Sequence, residues 1–82
     1  MLATKMRIRW IKEIEVDGLG EAIKKARMNS GKTVDQICEE VGVSRTYWYD
    51  IEKETLKGTL SRENLENIEQ VLKINLGVNF DD

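Results

Sequence analysis

Fifteen carboxylates, thirteen basic side chains and one thiol, with hydroxyls and two phenols beside them, are the groups in this chain that could do acid–base or nucleophilic chemistry, and histidine is not among them. Without histidine, and with Cys38 as the single cysteine, nitrogen and sulfur metal sites, Ser-His triads and Cys-His pairs are excluded. The carboxylates are scattered through helical patterns, as on a solvated surface, and form no evident acid–base pair. Gly18 and Gly20 are too few for a phosphate-cradling loop and lack the following lysine. Cys38 falls on an apolar helical face, where it serves as a small buried side chain. These residues predict a protein that is not an enzyme and carries neither metal nor cofactor, so any function must come from binding.

The stretch that organises the chain is TVDQICEEVGVSRTYWYDIE, residues 33–52. Thr33 and Gln36 have the spacing of a capping box at the start of a helix over 34–41. Val34, Ile37, Cys38 and Val41 share one face of it. Gly42 then stands where a left-handed residue would end the helix. Ser44 caps a second helix over 45–54, with Val43 and Trp48 spaced as a hydrophobic staple and Trp48 and Ile51 as its inward pair. Two short helices joined by a glycine turn form a helix-turn-helix pattern.

The flanking segments complete one small domain of 82 residues, 40% apolar and 34% charged. Residues 6–16 alternate, with Met6, Ile8, Trp10, Ile14 and Val16 on one face and Arg7, Arg9, Glu13 and Glu15 on the other, which predicts one half-buried strand. Asp17 is placed to cap a helix over 19–29 whose inner face is Leu19, Ile23 and Ala26, and Ser30 and Gly31 stop it. Gly58 bends a loop, and Ser61 caps a last helix through residue 72, with Leu60 stapled to Leu65 and Leu65, Ile68 and Leu72 facing inward. Ile74, Leu76, Val78 and Phe80 alternate with polar residues and glycine, a second strand signal. Lone strands need partners, so the two terminal strands are expected to pair with each other, most simply across a homodimer. The domain plan is an N-terminal extension over 1–17, a helix-turn-helix domain over 18–73, and a C-terminal strand and tail over 74–82. No apolar run approaches membrane-span length and no signal-peptide pattern is present, so a cytoplasmic protein without membrane contact is expected.

Residues 18–78, in LGEAIKKAR, GKTVDQICEEVGVSRTYWYDIE and LENIEQVLKINLGV, resemble the Cro/C1-type (Xre-like) helix-turn-helix domains of phage and bacterial transcriptional regulators. The resemblance implies a mainly α fold: a lambda-repressor-like bundle of four or five helices with short N- and C-terminal strands. It implies that Arg27 and Glu52 occupy the positions of a structural ion pair. It also implies double-stranded DNA, a palindromic operator, as the partner, read in the major groove by the helix beginning at Ser44.

The outward residues of that helix are then Ser44, Arg45, Thr46, Tyr49 and Asp50. Arg45 is the strongest candidate for base readout, because a guanidinium can bridge guanine O6 and N7; the competing reading is a solvated surface charge. Lys32, Thr33, Tyr47, Lys57 and Arg62 are the candidate phosphate contacts, the first two at or beside the N-terminus of the helix over 34–41. The chain departs from the family at Val34, where glutamine is frequent, at Glu54, where glycine is frequent, and in a loop after Glu54 about two residues longer than usual. The net charge of -2 and the run Tyr47-Trp48-Tyr49 motivate an alternative, an antitoxin-like or adaptor protein that uses the fold to bind a protein partner.

Overall fold

The computed structural model describes residues 5–9 and 13–78. Its elements run β1 (Lys5–Arg9), β2 (Glu13–Asp17), α1 (Leu19–Ser30), α2 (Val34–Val41), α3 (Arg45–Lys53), β3 (Leu60–Ser61) and α4 (Arg62–Leu72). The fold is mainly helical, with four helices and a small sheet of order β2-β1-β3.

The single strand expected over 6–16 is two strands, β1 and β2, paired antiparallel. The register sets Met6 against Val16 and Ile8 against Ile14, and Met6 and Ile8 are buried. Along the backbone it also sets Lys5 opposite Asp17, Arg7 opposite Glu15 and Arg9 opposite Glu13. Trp10, Ile11 and Lys12 lie outside the described residues.

The expected pairing between the two ends of the chain is replaced. The other edge of β1 is taken by β3, in parallel, with Ile8 opposite Leu60 and Arg9 opposite Ser61. This accounts for the long loop after Glu54, which carries the chain from α3 to the sheet before α4 begins. Residues 74–78 form no strand. Their backbone donors are used locally: the Leu76 N–H donates to Glu69 Oε2 at 2.8 Å and the Gly77 N–H to Asn75 Oδ1 at 2.8 Å. Ile74, Leu76 and Val78 still pack partly buried against the core. Asn79 and Phe80 lie outside the described residues. Strand pairing, which motivated a dimer, is therefore met within one chain.

Helix starts follow local rules with one exception. Thr33 and Gln36 form the complete capping box, and Ser44 and Ser61 accept the Tyr47 and Asn64 N–H groups. Asp17 is the last residue of β2 and does not cap α1; the N-cap is Gly18, at φ 71, with no side-chain cap bond. Among the described residues the buried core is made of apolar residues, and Ile8, Ile23, Ile37, Trp48, Ile51, Leu60, Leu65 and Ile68 are fully enclosed, so every helix and two of the strands contribute. Cys38 is buried with them, its thiol directed at the Ser44 carbonyl at 3.7 Å, and burial pushes its pKa up.

Candidate nucleic-acid interface

The turn that aims α3 is built from backbone bonds. Gly42 takes φ 89, and the N–H groups of Gly42 and Val43 both donate to the Cys38 carbonyl, at 2.8 and 3.0 Å. With Trp48 and Ile51 buried, the opposite face of α3 is turned outward. Ser44, Arg45, Thr46 and Tyr49 are exposed on it, while Tyr47 is half-buried against the core.

Two of these residues have partners that their spacing did not announce. The Arg45 guanidinium meets the Asp35 carboxylate, Nε to Oδ1 at 2.8 Å, joining the first turns of α3 and α2. Asp50 is half-buried; its Oδ1 accepts the Thr55 hydroxyl at 2.9 Å, and the Thr55 N–H donates to the Asp50 carbonyl at 2.8 Å. Asp50 is thereby drawn into the C-terminal turn of the helix and away from the exposed leading end.

The candidate phosphate contacts separate in the same way. Thr33 is exposed at the start of α2, its side chain engaged in the capping box. Lys32 directs its ammonium to Glu40 Oε1 at 2.7 Å and to the Val71 carbonyl at 3.3 Å, so it ties α2 to the end of α4. Arg62 pairs with Glu66 one turn along α4 at 3.0 Å. Lys57 is exposed in the loop after α3.

The far end of α3 is locked by its two glutamates. Glu52 accepts Arg27 Nε at 2.5 Å, Arg27 Nη2 at 3.1 Å and Trp48 Nε1 at 2.7 Å. Its side chain is only 6% exposed against 21% for Arg27, so the pair sits where a charge without a partner is costly. The hydrogen bond to Glu52 raises the Arg27 pKa above its ordinary value. The indole bond, an i, i+4 pair within α3, was not expected from the sequence, which placed Trp48 in the core. Nor was the Glu54 contact: Glu54 adopts φ 59, and its Oε2 accepts the Gly20 N–H at 2.8 Å, across 34 residues of sequence. This distant carboxylate supplies the cap that α1 lacks locally.

Two short helices meeting at a glycine turn, the second capped and exposed along its outer face, define a helix-turn-helix domain. The chain belongs to the helix-turn-helix domain family, whose model matches residues 20–77. No curated protein and no solved structure matches it. Among the described residues, no helix is long and apolar enough to cross a membrane, and no group of three or more metal-ligating side chains gathers.

Proposed function

We propose that this protein is a sequence-specific DNA-binding transcriptional regulator, a small phage-like or plasmid-like repressor of the cytoplasm, which reads the major groove with α3. The observation that carries the reading is the exposed leading turn of α3, with Arg45 and Thr46 at its outer surface. Nine residues of helix span about 14 Å and fit the groove end-on. Arg45 addresses a guanine, Thr46 a thymine methyl or a phosphate, and Tyr49 the groove wall. The N-termini of α2 and α3, at Thr33 and Ser44, offer backbone donors to phosphates, and Lys57 adds charge at the rim. Asp50, bonded to Thr55, is kept off the phosphates. A homodimer would present two such helices to the halves of a palindrome about 34 Å apart.

In vitro selection of bound duplexes tests this. An enriched palindrome is the expected result; if no duplex is bound better than random DNA even at low salt, the reading fails. The second reading, an antitoxin-like or adaptor role, is favoured by Tyr49, a large side chain 39% exposed on α3. A stoichiometric protein partner in the absence of any DNA shift would decide for it.

A further inference from the structure

We infer that Asp35 is a specificity-determining residue of this interface, acting on DNA through Arg45; the inference rests on the DNA-binding reading of α3. The pair is 65% and 71% exposed, so solvent screening leaves it little weight as a stabilising bridge. Its effect falls on what Arg45 does next. Asp35 Oδ1 lies 2.8 Å from Nε, the inner nitrogen of the group, and a guanidinium held there can bridge guanine O6 and N7 with its two terminal nitrogens. Held at one edge, the planar group spends less of its time spread over the rotamers that would reach any nearby phosphate.

The carboxylate has a second, independent action. It stands in the first turn of α2, beside the candidate phosphate-binding end at Thr33, on the same side of the domain as the leading turn of α3. A fixed negative charge there repels the backbone of every sequence alike and weakens non-specific binding, which is nearly all electrostatic. The operator backbone is repelled by the same amount, so this action lowers overall affinity, and Asp35 widens the gap between operator and random DNA through Arg45 alone.

The test compares a selected operator duplex with a random duplex at two salt concentrations, for the wild type, Asp35→Asn, Asp35→Glu, Arg45→Ala and the Asp35→Asn/Arg45→Ala double variant. Thermal melts confirm that each is folded. Asp35→Asn should bind random DNA more tightly and lower the ratio of operator to random affinity by up to about fivefold, the scale of an exposed charge pair. Asp35→Glu, which keeps the charge, should retain most of the ratio. In the Arg45→Ala background Asp35→Asn should tighten both duplexes equally. An unchanged ratio in Asp35→Asn, or an equal fall in the ratio without Arg45, overturns the role of Asp35 and leaves the DNA reading intact. A wild type that prefers no sequence overturns both.

Discussion

The Glu54 carboxylate accepts the backbone N–H of Gly20 at 2.8 Å, so the residue that ends the third helix caps the start of the first. The two segments approach so closely that a Cβ on Gly20 would lie 2.5 Å from the Glu52 carbonyl oxygen, 2.6 Å from Glu54 Cγ and 2.8 Å from the Ile51 carbonyl oxygen. Glycine at position 20 and glutamate at position 54 are two halves of one joint. Glu54 holds a left-handed backbone there, where glycine would rest without strain.

Substitutions at this joint should rank in a set order. Glu54→Ala keeps the left-handed strain and loses the cap, a loss of about 1–2 kcal/mol. Glu54→Gly loses the same bond and relieves about 1 kcal/mol of strain, so it should be the milder change. Gly20→Ala gains about 1 kcal/mol of helix propensity but should still destabilise. Two of its three nearest contacts are backbone oxygens that cannot rotate away. Urea midpoints at constant slope measure all three; a Gly20→Ala variant as stable as wild type would contradict the close approach.

The Arg27 and Glu52 pair should behave as a coupled unit. Either residue changed to alanine strands its partner, at a cost of about 2–3 kcal/mol once the partial exposure of Arg27 is allowed for. The double variant should cost clearly less than the two added together. Glu52→Ala also frees the Trp48 indole, so its native fluorescence should shift where that of Arg27→Ala shifts less. Additive losses would mean that the two side chains do not interact.

Cys38 should be inert at neutral pH and should make stability depend on pH in alkali. Burial raises its pKa above the usual 9.0, so the folded chain favours the neutral thiol more than the unfolded chain does. That contribution is complete below pH 9 and is lost as pH rises through the folded value. Denaturation midpoints should fall above about pH 9 more steeply in wild type than in Cys38→Ala, and a thiol reagent should label the native protein far more slowly than the unfolded chain.

On DNA, Arg45 and Lys57 should separate readout from attraction. Arg45→Ala should relax specificity at one base pair by about 1–3 kcal/mol. Lys57→Ala should weaken all sequences alike and reduce the salt slope by about one. Binding isotherms on operators changed at single positions distinguish the two patterns, and a uniform loss in Arg45→Ala would remove it from base recognition.

What the sequence determined by itself is local. The capping box at Thr33 and Gln36, the serine caps, the turn at Gly42 and the inward pair Trp48 and Ile51 all depend on residues within about four positions of one another. Cap chemistry and helical period act at that range, so they were legible. The Arg27 and Glu52 pair, 25 residues apart, was legible only through the family resemblance.

Tertiary structure alone decided where distant segments meet. Alternation over residues 6–16 fits one long strand or a reversed pair equally well, because folding back in this register still sets apolar positions opposite apolar ones, Met6 with Val16 and Ile8 with Ile14. Leu60 and Ser61 carry too short a pattern to declare a strand until β1 lies beside them. The alternating residues 74–78 lose strand form because Glu69 and Asn75 side chains claim their backbone donors. Asp35 beside Arg45, Lys32 against the end of α4 and Glu54 at the head of α1 are contacts between elements, and no periodicity within one element encodes them. The leading turn of α3 was visible as a sequence motif; which of its charges are already engaged was settled by what packed around it.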